Sequence, residues 1–245
     1  LSVRNLALPG AIDGISFDLH YGEVLGVAGL VGSGRVKLMR TLFGLEPQHR
    51  GEVQIDGEPV RPKNPPRTME KGIFMLAEDR KTESILATLN ALENVVISAH
   101  QVRRGRVFID FKAEKGIFQR VKDLFRIRAH SGRQSIGTLS GGNQQKVAMG
   151  RAIAADCRIM LLNEPTRGVD VGAKAEIHEL IRNMAQGGKA VVVSSSDVPE
   201  LALVCDRCLT LVEGQLGPTL TGDEISEDSI VTCVIGRGNV GASEA

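Results

Sequence analysis

The sequence predicts an α/β fold in which a mostly parallel sheet is flanked by helices. Three short runs of apolar residues support this prediction, at Val24–Ala28, Ile159–Leu162 and Ala190–Val193. Continuous apolar runs of this length are typical of strands that are buried on both faces of a parallel sheet. Open sheets of this class keep their ligands at the carboxyl ends of the strands. We therefore expect functional residues to follow these three strands.

Composition narrows the class of protein. The 245-residue chain carries a formal net charge of +1, with no basic stripe or aromatic platform, which argues against nucleic-acid binding. Four scattered cysteines are typical of a reducing compartment, and we interpret Cys205 and Cys208 as ordinary buried residues because a metal site needs a second pair of ligands. No apolar run reaches the ~18 residues of a membrane span, and no signal peptide is found. Because the chain starts at Leu1, we expect it to be a piece of a longer protein.

A small antiparallel sheet is predicted near the N-terminus. The apolar residues Ile15, Phe17 and Leu19 alternate with polar ones, as in a half-buried strand. A second strand is predicted at Glu52–Ile55, where the following Asp56-Gly57 marks a tight turn. We expect these strands to flank the main sheet.

The strand Val24–Ala28 leads into a glycine-rich loop, and Gly44 is expected to end the helix that follows. The loop has the glycine spacing of a Walker A motif, G-x-x-x-x-G-K-[ST], whose backbone N–H groups form a nest for phosphates. The alternative is a strand-to-helix turn that binds no ligand. The candidate phosphate-binding residues are Gly29, Val31, Gly32, Ser33, Gly34, Arg35 and Val36.

Two residues of the loop depart from that motif. Arg35 stands in the lysine position, and its planar fork is no simple replacement for a compact ammonium. Val36 replaces the hydroxyl that would ligate Mg²⁺, and an aliphatic side chain cannot coordinate a metal. Lys37 does not compensate, because it lies on another face of the helix.

A second phosphate-binding helix start is predicted at Ser140. Ser140 is a good N-cap, and Gly141 and Gly142 let backbone N–H groups approach an anion without a Cβ in the way. The helix is expected over about residues 144–155, with the positive end of its dipole at this point. We expect Gly142 to lie on a solvated face until a partner closes over it.

These motifs together resemble a known family. Leu139-Ser140-Gly141-Gly142-Asn143-Gln144-Gln145, followed by an apolar strand and Asn163-Glu164-Pro165-Thr166, resembles the signature motif and Walker B motif of ABC-transporter ATPases. The segment Arg167–Lys174 narrows the resemblance to the second half of the tandem ATPases of bacterial sugar importers. The resemblance covers about residues 6–236 and implies a P-loop NTPase-like fold, with ATP and Mg²⁺ as cofactors.

The resemblance also implies roles for single residues. Glu164 takes the position of the general base, Ser196 that of the switch histidine beside the γ-phosphate, and Asn163 that of the Walker B aspartate. Glu78 stands in place of the Q-loop glutamine and would face the γ-phosphate and metal, with the residues after it against the transmembrane partner. A solvated charge run is the alternative for Glu78–Lys81. The signature residues implied to contact nucleotide are Ser140, Gly141, Gly142 and Gln144.

The remaining elements complete one domain. An amphipathic helix is predicted over Ala113–Arg126, with its apolar stripe in the core, and another over Ala175–Gln186. Leu209–Val212 is predicted to be a further strand. The apolar stripe of the first helix consists of Ile117, Val121, Leu124 and Phe125. We divide the domain into an antiparallel part with the P-loop (1–61), an inserted helical part with the signature (62–150), the Walker B and switch core (151–236) and a frayed tail (237–245).

The substitutions at Val36 and Asn163 predict a severely impaired nucleotide site. P-loop enzymes hold Mg²⁺ with the Walker A hydroxyl and the Walker B aspartate, and an amide brings no charge to a divalent cation. The signature is intact, and in this family each signature caps the nucleotide on the other domain's Walker A. The resemblance therefore implies an asymmetric pair, in which this chain completes a site on a first ATPase half of the same polypeptide.

By the same resemblance, this pair would drive import of a sugar or similar solute from the cytoplasmic face of the cell membrane. Its implied partners are transmembrane permease subunits and, indirectly, a periplasmic or extracellular solute-binding protein. Two alternative classes are a regulatory module in which nucleotide never turns over, and a soluble ABC ATPase that acts on ribosomes or chromosomes. The missing basic patch argues against the second alternative.

Overall fold

The computed structural model describes residues 1–102 and 110–235. The strands are β1 (Ser2–Leu8), β2 (Ile12–Asp18), β3 (Val24–Ala28), β4 (Arg50–Ile55), β5 (Glu58–Val60), β6 (Ile73–Leu76), β7 (Ile159–Asn163), β8 (Ala190–Ser194), β9 (Arg207–Val212) and β10 (Gln215–Thr221). The helices are α1 (Arg35–Phe43), α2 (Pro65–Glu70), α3 (Ala91–Val102), α4 (Phe111–Leu124), α5 (Gly141–Ala154), α6 (Val171–Gln186), α7 (Val198–Val204) and α8 (Glu227–Ile235). The predicted tail at 237–245 lies outside the described residues.

The strands of the described residues form two sheets. The larger sheet has the order β10-β9-β3-β8-β7-β6, and it is parallel except for β10, which pairs antiparallel with β9. The smaller sheet is antiparallel, with the order β2-β1-β4-β5. The predicted α/β fold, with a mostly parallel sheet and a small antiparallel one, is confirmed. Strand β6 lies within the range 62–150 yet forms an edge of the larger sheet, so that range is not helical throughout.

The larger sheet is buried on both faces, as its continuous apolar strands predict. In β7, Ile159 and Leu161 pack into a core shared with α1 and the antiparallel sheet, while Met160 and Leu162 pack into a second core with helices α3 to α8. Because neighbouring side chains of a strand point to opposite faces, a strand between two helical or sheet layers must be apolar at every position.

Strand β1 escaped prediction because a bulge interrupts its alternation. Its buried residues are Val3, Leu6 and Leu8, so the spacing between the first two is three rather than two. The pairing of β1 with β2 shifts between Val3 and Leu6, where Asn5 adopts a left-handed φ of 47°. A bulge of this kind inserts an extra residue into one strand and removes the period of two from the sequence.

Helix ends differ from prediction where side-chain caps extend the helices. Helix α5 begins at Gly141, because the Ser140 hydroxyl accepts the Asn143 N–H, and α6 begins at Val171, because Asp170 accepts the Ala173 N–H. Gly44 ends α1 with a φ of 89°, as predicted. Within the described residues, no helix combines the length and the apolar character needed to cross a membrane.

The predicted apolar stripe of α4 is correct at three of its four positions. Ile117, Val121 and Phe125 are buried, but the assignment of Leu124 to the core is wrong, because its side chain is 48% exposed. The helix ends at Leu124 and the chain turns at once, with Arg126 at a left-handed φ of 49°. The turn directs Phe125 inward in its place.

Two glycine-to-alanine changes should have opposite effects on stability, because Gly150 of α5 packs against α4 whereas Gly116 of α4 faces open space. A Cβ on Gly150 would lie 2.3 Å from Cγ1 of the buried, β-branched Val121, whereas a Cβ on Gly116 meets nothing within 4 Å. Gly150→Ala should therefore lower the free energy of unfolding by roughly 1–3 kcal/mol through overpacking. Gly116→Ala should raise it by about 0.5–1 kcal/mol through helix propensity. Urea unfolding of both variants checks the packing; a loss of the same size at both positions would contradict it.

Candidate functional site

The sheet brings three predicted segments to one edge. Strand β8 lies between β3 and β7 in parallel register, so that Ser194 pairs with Val27 on one side and Asn163 on the other. The glycine loop after β3, the serines after β8 and the polar residues after β7 therefore leave the sheet side by side. This arrangement follows from strand order and register, because parallel strands end at the same edge.

The glycine loop has the backbone of a strand-to-helix turn. Gly34 caps α1 with a φ of 100°, and a Cβ there would lie 2.5 Å from the Ala11 carbonyl oxygen. A Cβ on Gly29 would lie 2.7 Å from the Leu211 carbonyl oxygen. Val31 is 95% exposed at the tip of the loop. Beside the loop is a cavity of about 620 Å³, whose lining includes Pro9, Ala11, Gly32, Arg50 and Glu213.

The Arg35 side chain is directed toward the ends of β7 and β8, where it contacts Glu164 and Ser194, and not toward the glycine loop. Its Nη2 lies 2.7 Å from Oε1 of Glu164, and its Nη1 donates a hydrogen bond of 3.1 Å to the Ser194 hydroxyl. The Arg35 and Glu164 side chains are only 6% and 7% exposed. The Walker A position and the candidate general base are thus joined in a buried ion pair.

Backbone groups also hold the candidate base in place. Oε1 of Glu164 accepts the Ser196 N–H at 2.8 Å, and the Glu164 N–H donates to the Ser194 carbonyl oxygen at 2.7 Å. Glu164 has a left-handed φ of 51°, an unusual conformation that clusters at functional sites. The Ser196 side chain is exposed, so this residue reaches Glu164 through its backbone.

The residues present do not fit a resident Mg²⁺. Oδ1 of Asn163 is buried without a hydrogen-bond partner among the described residues, but it is an uncharged amide oxygen. Glu164 already holds a guanidinium, and Val36 offers no ligand atom. Lys37 pairs with Glu46 at 2.9 Å, away from the site. A divalent cation would have to enter beside the positive charge of Arg35.

Helix α5 begins with a side-chain cap at Ser140, followed by two glycines. The Ser140 hydroxyl accepts the Asn143 side-chain amide at 2.8 Å, and no acidic residue lies in the first turn. The Gln144 amide donates to the carbonyl oxygens of Ile136 and Leu139 and so holds the preceding turn together. Gln144 is therefore committed within the chain, whereas Ser140 is exposed at the surface.

The expectation that Gly142 lies on a solvated face is wrong. Gly142 is buried, and a Cβ there would lie 2.5 Å from the Ala173 Cβ on α6. The glycine permits close packing of two helices, so a side chain at this position would destabilise the chain whether or not it touches a ligand. Sequence could not show this, because Ala173 is brought to Gly142 only by the fold.

Among the described residues, no hydrogen bond or ion pair joins Glu78 to the glycine loop. Its carboxylate forms an ion pair with Arg167, which follows Glu164 by three residues. Both line a cavity of about 480 Å³, together with Gly168 and residues 80–83 of the π-helical turn Arg80–Ser84. The expected position of Glu78 facing the γ-phosphate thus remains a prediction, and the structure instead pairs it with the loop that follows β7.

Sequence reasoning missed a polar network behind the switch position. Buried Glu200 accepts the Ser195 hydroxyl at 2.5 Å and contacts Nε2 of His178 at 3.0 Å. Lys174 donates to Asp197, and this hydrogen bond lowers the pKa of the Asp197 carboxyl. The members come from α6, α7 and the end of β8, so no local sequence pattern joins them.

The two cysteines near the centre of the sheet are packing residues. A Cβ on Gly26 would lie 2.8 Å from Sγ of Cys205 and 3.2 Å from Sγ of Cys208. Burial raises the pKa of the Cys208 thiol to about 12 and that of Cys205 in the same direction. Both are therefore protonated thiols at neutral pH, and a thiol must lose its proton to bind a metal or react.

Comparison with protein families and curated proteins gives consistent matches. The model of the ABC transporter family matches residues 12–167. The chain is 43% identical over 236 residues to a protein of Pseudomonas fluorescens named as a ribose/galactose/methyl galactoside import ATP-binding protein, covering 96% of this chain and 46% of that one. It is 39% identical to a ribose import ATP-binding protein of Geobacillus kaustophilus and 40% identical to an arabinose import ATP-binding protein of Vibrio parahaemolyticus, covering 48% of each. The chain thus spans about half the length of the curated relatives it matches.

Solved structures match the fold at low sequence identity. The ATP-binding cassette MJ0796, solved as a dimer with ADP and phosphate, matches with a TM-score of 0.76 at 22% identity, covering 90% of this chain and 97% of that one. The protein cbiO1 of Clostridium perfringens matches with a TM-score of 0.77 at 20% identity, covering 96% and 95%. These similarities show the architecture and do not by themselves assign a function.

The buried ion pair predicts a large and recoverable loss of stability. Arg35→Met leaves Glu164 as an unpaired buried charge and should lower the free energy of unfolding by about 3–5 kcal/mol. Adding Glu164→Gln should restore more than half of that loss, because no charge then remains buried. Arg4→Met is the matched control: Arg4 pairs with Asp18 at the surface, and its loss should cost about 1 kcal/mol or less. Urea unfolding measures these three variants and Glu164→Gln alone, and additive effects of the Arg35 and Glu164 changes would contradict the buried pair.

Proposed function

Because the chain belongs to the ABC transporter family, we propose that it is a nucleotide-binding domain that couples ATP binding and hydrolysis to solute import. The proposed solute is a sugar or a similar small molecule. The names of its relatives, which are import ATP-binding proteins for ribose, galactosides and arabinose, support this assignment. The fold of ATP-binding cassettes supports the nucleotide-binding part.

The proposed arrangement is a tandem in which this chain is the second half and its partner is a first ATPase half of the same polypeptide. The length of the relatives supports it, since the chain matches about half of each. In this arrangement the start of α5 completes a nucleotide site on the first half. The catalytic residues of that site would then lie outside this chain.

One observation carries the proposal of an inactive site in this half, namely the ion pair of Arg35 with Glu164. In the proposed role as general base, Glu164 would have to accept a proton from the attacking water. The guanidinium of Arg35 lies 2.7 Å from Oε1 of Glu164 and engages that oxygen in an ion pair. The Ser196 N–H donates to the same oxygen at 2.8 Å. The site therefore serves structure rather than turnover.

The start of α5, in contrast to the buried ion pair, is open to solvent at Ser140. Ser140 is exposed and the first turn carries no acidic residue, so the partial positive charge of the helix start is uncompensated. A phosphate brought by a partner would meet backbone N–H groups there without a change in this chain's fold. The proposed contact residues are Ser140 and Gly141, with Gly142 as the packing residue beneath them.

A cleft of about 410 Å³ is the proposed site for the transmembrane permease subunits. It lies between the sheet core and the helical part, and its lining includes Phe43, Met69, Met75, Ser98 and Arg151. Its mixture of apolar side chains and arginine suits an amphipathic segment of a partner. The proposed location is the cytoplasmic face of the membrane, and a solute-binding protein on the other side acts indirectly.

A regulatory module without turnover is the second candidate function, and the Arg35–Glu164 pair favours it for this chain taken alone. The two candidates differ in the assembled protein. A sugar importer hydrolyses ATP on the first half and depends on the start of α5, whereas a purely regulatory module hydrolyses nothing at either site. ATPase activity of the full polypeptide with its permease therefore distinguishes them.

The isolated chain is predicted to show negligible Mg-dependent ATP hydrolysis. Turnover near ~1 per second, within the usual range of working enzymes, in a phosphate-release assay would contradict this prediction. The double change Val36→Thr with Asn163→Asp should lower the free energy of Mg-ATP binding by more than the two single changes added together. The reason is that both new groups would ligate one ion. Isothermal calorimetry measures the four affinities. Strict additivity would show that the two positions do not share an ion.

The role of Ser140 is tested by two substitutions that differ only in charge. Asp and Asn both keep the N-cap, so Ser140→Asp and Ser140→Asn should leave the melting temperature of this chain nearly unchanged. In the tandem protein, Ser140→Asp places a carboxylate against the incoming phosphate and should reduce ATP hydrolysis at least tenfold more than Ser140→Asn, about 1.4 kcal/mol. Equal hydrolysis by the two variants would reject the contact with phosphate.

A further inference from the structure

The carboxylates at the carboxyl edge of the larger sheet are matched by basic side chains. Glu164, which follows β7, pairs with Arg35 at 2.7 Å. Asp197, which follows β8, accepts a hydrogen bond from Lys174 at 2.7 Å. Each negative charge in these two contacts has a positive charge beside it. A divalent cation that approaches this edge therefore meets two neutral pairs, whereas it binds best where carboxylates are in excess.

The metal ligands of a working P-loop are missing from the same edge. Such a site holds Mg²⁺ with a hydroxyl and an aspartate, and this chain has Val36 and Asn163 in those positions. The exchange of aspartate for asparagine removes one negative charge. Oδ1 of Asn163 is also shielded from solvent and has no hydrogen-bond partner among the described residues. Mg²⁺ usually keeps several of its waters, so a hydrated ion cannot reach this oxygen without a rearrangement.

Other carboxylates near the glycine loop do not form a replacement site. Asp13 and Glu213 line the cavity beside the loop, and Arg50 lines it too. Asp13 already accepts a hydrogen bond of 3.3 Å from the Gln215 amide. Across the part of the chain that the structure describes, no three His, Cys, Asp or Glu side chains are grouped so that they could hold a metal ion.

The features that attract phosphate do not depend on the lost ligands. The glycine loop leads into α1 through Gly34, and the first turn of α1 contains no acidic side chain. Backbone N–H groups and the positive end of a helix attract phosphate oxygens whether or not a metal is bound to them. Mg²⁺ cancels part of the negative charge of a triphosphate. A site that keeps its N–H groups but lacks metal ligands should therefore favour the metal-free form.

We propose that the glycine loop of this chain binds a nucleoside triphosphate without a divalent cation, in preference to the magnesium complex. This inference rests on the proposed function, which makes the ligand a nucleotide. It separates holding the nucleotide from hydrolysing it, because phosphoryl transfer needs Mg²⁺ to neutralise the charge that develops on the phosphates. A half of this kind would stay loaded with nucleotide while hydrolysis takes place elsewhere.

The test is calorimetric titration of the chain with ATP, once with magnesium and once with EDTA. The affinity in magnesium should exceed that in EDTA by no more than about threefold, because no protein carboxylate is free to favour the ion. A larger gain from magnesium would overturn the proposal, and so would the absence of ATP binding under both conditions.

Asn163→Asp is the variant that should reverse the preference, with the wild-type asparagine as its uncharged isostere. The added carboxylate should make magnesium strengthen ATP binding at least about tenfold. A folded Asn163→Asp chain that still ignores magnesium would overturn the proposal. If this variant melts at a lower temperature than the wild type, Val36→Thr decides instead, since it supplies a ligand oxygen at a half-buried position and should shift the preference in the same direction.

Two changes at Val31 locate the binding. This side chain is 95% exposed at the tip of the loop, so substitution there should not disturb packing. Val31→Asp places a carboxylate beside the bound phosphates and should weaken ATP binding in EDTA at least about tenfold more than Val31→Asn does. Equal affinities of the two variants would show that ATP binds elsewhere and would overturn the proposal.

Hydrolysis by the tandem protein separates this inference from the proposed function. With its permease, the tandem protein should hydrolyse Mg-ATP on the first half, whichever form of nucleotide this chain holds. If the tandem protein hydrolyses no ATP but the chain binds ATP in EDTA as expected, the proposed function fails and the inference stands. If hydrolysis is normal but ATP binding to the chain requires magnesium, the inference is overturned and the proposed function stands.

Discussion

The parallel pairing of β3, β8 and β7 is the constraint on which the rest of the site depends. It fixes where the glycine loop, the serines and the polar pair Asn163-Glu164 leave the sheet, and it does so through backbone hydrogen bonds between strands that are apolar on both faces. Arg35 and Glu164 are 129 residues apart in sequence, yet this register places their side chains 2.7 Å apart. The ion pair is a consequence of sheet order.

Because of that ion pair, two charged side chains at the carboxyl edge of the sheet are buried. A buried guanidinium and a buried carboxylate lose their hydration, which costs free energy. Close contact between them and additional hydrogen bonds offset that desolvation cost. Ser194 supplies one such bond to Arg35, and the Ser196 N–H supplies one to Glu164. The planar guanidinium reaches the two acceptors with two different nitrogens, Nη1 to Ser194 and Nη2 to Glu164.

The segment after β7 connects this closed site with the open start of α5. Glu164 belongs to the ion pair, the carbonyl oxygen of Pro165 accepts the amide of Gln145 on α5 at 2.7 Å, and Arg167 pairs with Glu78. Three residues within the four-residue segment 164–167 thus contact the residue at the start of α1, helix α5 and Glu78, which precedes the π-helical turn.

The sequence by itself determined the fold class, the central strands and the N-cap of α5, because these depend on local patterns of apolar residues, glycines and capping side chains. Through the resemblance to ABC-transporter ATPases it also proposed which positions are candidates for the site. Only the tertiary structure decided what those positions do with one another. It paired Arg35 with Glu164 and Glu78 with Arg167, and it buried Gly142 against Ala173. Each of these outcomes depends on a distance between residues far apart in the chain, and such distances are set by strand order and helix packing, which no local pattern encodes.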